Sequence, residues 1–305
     1  MNITSNHRIL CPSLTISHNK DSRNFDFITS VIVCIINGLL VLPTTFLNLL
    51  IILGILRNPY LRKPSYLLIC ALAFTDFGVG VLLQPLFIVR KVALFSSRHD
   101  IYCTLVHSGN ILAHLVCSPS FFIVTVISID RYLAIRLQTR YNHIVTVKTV
   151  LKFLIGCMVS AVAVTLARLQ ATKPGYMGIA AALMFILLIV ILSCYFASIN
   201  TLKIHQRQMD NIQESILVQT AQYKRTLKTL LIIVFSLFLC YIPFVGVVIA
   251  IAFYGRNKTL TIAWECTSTL LYLNSYLNPL LHLWRCKELR RSCLSMLRSI
   301  WHYNE

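Results

Sequence analysis

Asp130, Arg131 and Tyr132 stand together at the end of an apolar run from Ile101 to Ile129 that is long enough to cross a bilayer. A carboxylate, a guanidinium and a phenol at a membrane edge can form an ion pair that is held or released, and ionisable residues there usually mark function. A second acid, Asp76, lies inside another apolar run, in Leu72-Ala73-Phe74-Thr75-Asp76. A lone carboxylate at that depth needs donors or a cation. Ser120, Asn274, Ser275 and Asn278 offer polar groups at similar depth. Oxygen ligands suit a small hard cation; a water-filled polar network without an ion is the other reading. Pro243 and Pro279 also lie within apolar runs, where a missing backbone hydrogen bond kinks a helix and gives it a pivot. Pro119, beside Ser120, predicts a bend in the run that ends at Asp130. The chain shows no nucleophile–base constellation and no metal-ligand spacing of an enzyme.

The elements that must position these residues are membrane spans. The chain is 57% hydrophobic and 12% charged over 305 residues, with a mean hydropathy of +0.72, against about 25% charged in soluble domains. Seven apolar runs fall near 27–56, 64–90, 101–133, 147–168, 176–203, 224–252 and 262–284, each close to the roughly 20 residues a span requires. They are continuous rather than alternating, which excludes a β-barrel. The expected fold is an all-α membrane protein. Residues 1–26 form an outer tail, 27–284 a seven-helix bundle, and 285–305 a short inner-leaflet amphipathic helix and tail. Most of the 28 Lys and Arg fall on segments that are inner if the N-terminus is outside, the expected bias for a multi-pass plasma-membrane protein. The net charge of +18 therefore reads as topology and attraction to lipid headgroups, not as nucleic-acid binding. No cleavable signal sequence precedes the first run, which is expected to act as a signal anchor. Asn2-Ile3-Thr4 and Asn257-Lys258-Thr259 are glycosylation sequons. Cys286 and Cys293 lie beside the membrane, where cysteines are either palmitoylated or buried unmodified.

Five motifs in order carry a resemblance: Asn48 within Leu47-Asn48-Leu49-Leu50; Leu72 to Asp76; Asp130-Arg131-Tyr132; Cys240-Tyr241-Ile242-Pro243; and Asn274-Ser275-Tyr276-Leu277-Asn278-Pro279-Leu280-Leu281-His282. Over nearly its whole length the chain resembles rhodopsin-like (class A) G-protein-coupled receptors. The resemblance implies a heterotrimeric G protein as partner, with Arg131 paired to Asp130 at rest. When the sixth span swings outward, Arg131 would turn to the G protein, supported by Tyr195. Tyr132, Tyr223, Asn278, Pro279 and His282 would belong to this switch, and Tyr241 with Pro243 to the toggle above it. It also implies a sodium ion held in the resting state by Asp76, Ser120, Asn274, Ser275 and Asn278.

Departures from the family pattern are informative. Met158 and Leu187 replace the usual fourth-span tryptophan and fifth-span proline, Tyr241 replaces a tryptophan, and His282 replaces the last tyrosine. The second outer loop, about Gln170 to Tyr176, has no cysteine, and Cys103 lies three residues before Val106, the usual bridging position. These features, with Arg140-Tyr141-Asn142-His143-Ile144-Val145-Thr146 and Lys287-Glu288-Leu289-Arg290, make the chain most similar to the melanocortin/adenosine-like branch. Cys11, Cys103 and Cys266 allow one alternative bridge in three pairings.

The ligand-anchoring residues of several branches are missing. Ala113 stands where an amine-binding aspartate would be, and Leu86, Val106 and Asn110 replace the acids of melanocortin receptors. Val248 replaces the adenosine-receptor asparagine, and Tyr272 the opsin lysine. The expected pocket is neutral and apolar. His107, Asn110 and His114 are either ligand contacts or satisfied interhelical donors. Arg90, Lys91, Arg98, Arg168, Lys173, Arg256 and Lys258 would give the outer mouth a positive field. Such a field raises the encounter rate of anionic ligands; headgroup contacts are the plainer account. The functional reading is a ligand-activated cell-surface receptor for an unidentified extracellular ligand, surrounded by membrane lipids. The competing class is a seven-helix transporter, channel or scaffold. Transporters usually show internal repeats, and none is found in this sequence.

Tyr223, followed by Lys224 and Arg225, occupies the position where many such receptors hold Arg131 with an acid. A neutral tyrosine makes a weaker contact than a charge-assisted one. We expect signalling without ligand, lowered by Tyr223→Glu; a reporter signal equal to that of empty cells, or unchanged by the substitution, would contradict this.

Overall fold

The structure, a computed structural model, describes residues 20–137, 140–170, 173–209 and 216–302. Within them, side chains are described for 27–137, 140–167, 175–204, 232 and 235–298. The helices are α1 (Lys20–Arg57), α2 (Pro64–Gly78), α3 (Gln84–Phe95), α4 (His99–Leu137), α5 (Tyr141–Ile144), α6 (Val147–Gln170), α7 (Lys173–Met209), α8 (Ile216–Tyr254), α9 (Lys258–Arg285) and α10 (Lys287–His302). A π-helical turn at Val79–Leu83 joins α2 to α3, so these two form one span, Pro64–Phe95. With α1, α4, α6, α7 and α8 this makes six helices long and apolar enough to cross a membrane.

The seventh is α9, which packs between α8 and α1. Its polarity has a simple cause. Glu265, Thr267, Ser268, Thr269, Asn274, Ser275, Asn278 and His282 are all buried, so its polar groups face the bundle and not lipid. Elsewhere the outward surface is apolar, with Leu39, Phe74, Ile155, Ile179, Phe196 and Phe235 among its exposed side chains. That is the inverse of a soluble protein and the arrangement hydrocarbon demands.

α4 is the central element, in contact with α2, α3, α6 and α7. The main core forms around Phe121, Ile123 and Val124 of α4, Leu188 and Ile191 of α7, and Leu237 and Tyr241 of α8. Pro119 lies inside α4, which runs on unbroken, and Pro243 and Pro279 likewise lie inside α8 and α9. α6 ends at Gln170 and α7 begins at Lys173, bounds closer together than the Gln170 to Tyr176 loop read from the sequence. α1 lies against the π turn, where Gly80 has no room for a side chain: a Cβ there would stand 2.6 Å from Thr45 Oγ1.

α10 runs further than the ten residues 285–294 read from the sequence. Its apolar side, Leu289, Cys293 and Met296, is buried against Leu50, Ile51 and Ile55 of α1. Ser292 Oγ donates to the Gly54 carbonyl at 2.9 Å, and Tyr66 Oη donates to Glu288 at 3.0 Å. Cys293 is a buried packing residue of this interface. Its thiol points at the Leu50 carbonyl, 3.5 Å away, and its position inside the helix interface leaves no path for an acyl chain. Cys286 is half-buried.

A Cβ on Gly54 would come within 2.7 Å of Cys293 Sγ. Gly54→Ala should lower stability by about 1–3 kcal/mol, the usual cost of overpacking, and adding Cys293→Ala should restore most of it. Thermal unfolding of the purified protein reads both; a Gly54→Ala midpoint equal to wild type would refute the tight contact.

Candidate functional site: a polar seam between two cavities

Polar residues buried in the bundle form a seam along α9. Near its middle, Asn278 Nδ2 donates to Asp76 Oδ2 at 2.8 Å. Asn48 Nδ2 donates to the Ser275 carbonyl at 3.0 Å and to the Thr44 carbonyl at 2.9 Å. Asn37 Nδ2 reaches Thr269 Oγ1 at 3.0 Å. Ser120 and Ser275 also stand beside the Asp76 carboxylate. The sequence groups Asp76, Ser120, Asn274, Ser275 and Asn278; the links from Asn48 and Asn37 to α9 are not legible there, because a single asparagine in an apolar run carries no partner information.

This cluster has the composition of a hard-cation site. Asp76 Oδ1 and Asn274 Oδ1 are buried without a hydrogen-bond partner. Unsatisfied buried oxygens are costly, and a small hard cation is what oxygen donors suit. The residues present thus fit a sodium ion.

Toward the Lys91 end the seam stops at an ion pair that sequence reading missed. Lys91 Nζ lies 2.5 and 2.6 Å from the two Glu265 oxygens and donates to Ser30 Oγ at 3.1 Å. Lys91 is only 3% exposed and Glu265 7%, so α1, α3 and α9 are tied by charges withdrawn from solvent. Lys91 is accordingly removed from the positive field expected at that mouth. Arg168 and Lys173 lie outside the residues whose side chains are described.

Beside this pair a cavity opens between α3, α4, α7, α8 and α9, with about 1450 Å³ of unfilled space, its open mouth included. Its floor is Ser120, Phe121 and Tyr241, with the Phe121 and Tyr241 rings 4.6 Å apart. Asn110 and His114 line it, and His114 Nδ1 lies 2.6 Å from the Asn110 carbonyl. His107 does not: it is exposed and lines no part of the cavity, because it sits at the flank of the α4 stripe formed by Leu105, Gly109 and Ala113. Cys103 is disulfide-bonded and Cys266 is a free thiol. The two pairings that use Cys266 are thereby excluded; Cys11 and Asn2 lie outside the described residues. Asn257 caps α9, its Oδ1 accepting from the Leu260 amide at 2.8 Å, while its exposed position leaves the side-chain nitrogen of the sequon open.

At the other end Asp130 is 4% exposed and gathers four contacts. Arg131 Nε and Nη2 donate to its Oδ2 at 3.1 and 2.6 Å, Ser65 Oγ at 3.1 Å, and Tyr141 Oη to Oδ1 at 2.5 Å. Burial raises the Tyr141 phenol to about 12, which keeps it a neutral donor. The Tyr141 contact went unseen because Tyr141 lies eleven residues on, in the α5 turn. Tyr132 instead accepts from Arg136 at 2.6 Å. Arg131, Tyr195, Asn278 and His282 line a second, smaller cavity with about 790 Å³ of unfilled space, its open mouth included. Tyr195 Oη is buried in it without a partner. The Tyr223 side chain lies outside those described.

Residues 47–175 and 168–282 match the 7 transmembrane receptor (rhodopsin family). The chain belongs to that family, a family of receptors and not of enzymes. It is 26% identical over 295 residues to cannabinoid receptor 1 of Xenopus laevis, which covers 84% of this chain. The chain spans 61% of the length of that relative. Membership removes the support for the transporter or channel reading and accounts for the order and depth of the five motifs.

The buried Lys91–Glu265 pair generates a test. Removing one partner of such a pair costs about 3–5 kcal/mol, whereas replacing both by apolar groups is close to neutral. Lys91→Met should lower the unfolding midpoint sharply, and Lys91→Met with Glu265→Leu should recover it. Additive losses in the double variant would show that the two charges are not coupled.

Proposed function

We propose that this chain is a ligand-activated receptor that promotes nucleotide exchange on heterotrimeric G proteins, with its N-terminus outside the plasma membrane. The observation that carries the reading is the Asp130 cluster at the mouth of the smaller cavity. Arg131 is held at rest by its neighbour, and Asp130 is itself fixed by Ser65 and Tyr141. Tyr195, whose hydroxyl is buried and unpartnered in the same cavity, offers Arg131 an acceptor when the pair opens. A ligand can drive that opening only by binding the open state better than the resting one. The floor of the larger cavity, at Tyr241 and Ser120, lies next to the Asp76–Asn278 bond, so movement of α8 or α9 there is carried along α9 to His282.

A sodium ion at Asp76 would supply positive charge that stabilises the resting packing. Asp76, Asn274, Ser120 and Ser275 would hold it, and Asn278 would orient the carboxylate. Because the ion would bind the resting state preferentially, sodium should lower basal exchange.

Expression with a panel of G-protein activation reporters tests the reading, and Arg131→Ala should abolish any signal. Raising sodium in place of an organic cation should lower basal nucleotide exchange by wild type and leave Asp76→Asn unaffected. An equal sodium response in both proteins would remove the ion from the account.

A further inference from the structure

The larger cavity has one charged side chain among its described lining residues, Arg90. The rest is dominated by apolar groups such as Leu86, Met184, Leu187, Val248 and Leu271. Arg90 makes no ion pair among the described residues, and its Nε is buried without a hydrogen-bond partner. Its guanidinium rests 4.9 Å above the Phe87 ring, and Phe87 is itself braced edge-on by Tyr272 at 6.5 Å. A cation–π contact of this kind fixes direction but leaves the donors of the guanidinium unused.

The adjacent acid cannot neutralise it. Glu265 engages Lys91 through both oxygens. Among the described residues the other acid at this end, Asp100, lies exposed in the first turn of α4. The neighbouring cation is thus cancelled and Arg90 is not. A half-buried guanidinium at the rim of an apolar cavity lacks the anion that such groups bind well, a carboxylate or phosphate in bidentate geometry.

We propose that this cavity binds an amphiphile with a single anionic headgroup, carboxylate or phosphate, held by Arg90 at the rim, with its apolar chain in the cavity below. The assignment rests on the receptor reading only in naming the cavity as the ligand site. One charge, against a lining poor in other ionic partners, selects against cationic ligands and against peptides carrying several charges. The Lys91–Glu265 pair adds a specificity element: it holds α3 against α9 without offering a second cation, so the headgroup is read by Arg90 alone.

The test is direct binding by the purified full chain in phosphatidylcholine nanodiscs, independent of any G protein. The probes are oleate, oleoyl lysophosphatidic acid, neutral oleamide and cationic oleylamine. Both acids are expected to bind and raise the unfolding midpoint, oleamide weakly and oleylamine not at all. The stronger of the two acids identifies the headgroup source. Arg90→Gln should weaken the acids by about tenfold or more, the loss of a charge-assisted contact, without changing oleamide. Arg90→Lys should restore part of the affinity. Ala113→Trp, which fills the apolar side, should weaken every probe and reports on the cavity even where Arg90→Gln folds poorly. Equal binding of oleamide and oleate, acid binding unchanged in Arg90→Gln, or binding confined to an acidic peptide would each overturn the proposal. Acid binding without nucleotide exchange would leave it standing and remove the receptor reading.

Discussion

Hydrocarbon supplies no hydrogen-bond partners, so every polar group within the bundle must be met by another part of the chain. That constraint organises the structure. It explains why α9, the least apolar of the seven spans, lies where its polar face meets α1 and the α2–α3 span. It also explains why asparagines at 37 and 48 on α1 reach across to α9. The constraint is met incompletely at several buried atoms, among them Asp76 Oδ1, Asn274 Oδ1 and Tyr195 Oη. Buried groups left unsatisfied in a native protein call for a ligand or a change of state.

The seam gives the two cavities a physical connection. It begins at the Lys91–Glu265 pair, passes Asn37–Thr269, Asn48–Ser275 and Asp76–Asn278, and ends at His282 beside Arg131. The links join α9 to α1 at two levels and to the α2–α3 span at two more, so α9 cannot shift along its axis without exchanging partners at several levels. Packed contacts of this kind have discrete arrangements and do not deform continuously. The Asp130 end is built in the same manner: four hydrogen bonds from three residues converge on one carboxylate, and when Arg131 leaves, taking two of them, Ser65 and Tyr141 remain to satisfy it.

Much of this was legible in the sequence. Apolar length marks spans, and the types of Asp76, Asp130, Arg131, Asn274 and Asn278 mark buried polarity, because both are properties of single residues or short runs. What was not legible depended on pairing across the fold. Lys91 reads as one of several basic residues near a span end until Glu265, 174 residues away, is seen to meet it. Tyr141 lies in a connection with no apolar pattern, and only its hydroxyl position joins it to Asp130. The π turn at Val79–Leu83 leaves no periodic signal, since a span that is apolar on most faces hides one extra residue per turn. Cys293 follows the same logic: its membrane-edge position suggested lipidation, whereas Gly54 opposite it shows that the thiol fills a contact. His107 lies one helical flank away from the stripe that lines the cavity, a difference that residue type does not encode.

The central proposal is that Arg131, held by Asp130 at the base of α4 at rest, is released when α8 moves outward. Its most direct test is the distance between labels carried on noncanonical residues at position 136, at the end of α4, and position 226, in the first third of α8, measured by pulsed electron resonance in nanodiscs. The account predicts one short distance at rest, a second, longer one when nucleotide-free heterotrimer is added, and return to the first on adding guanosine triphosphate. A single distance unchanged by heterotrimer would contradict it.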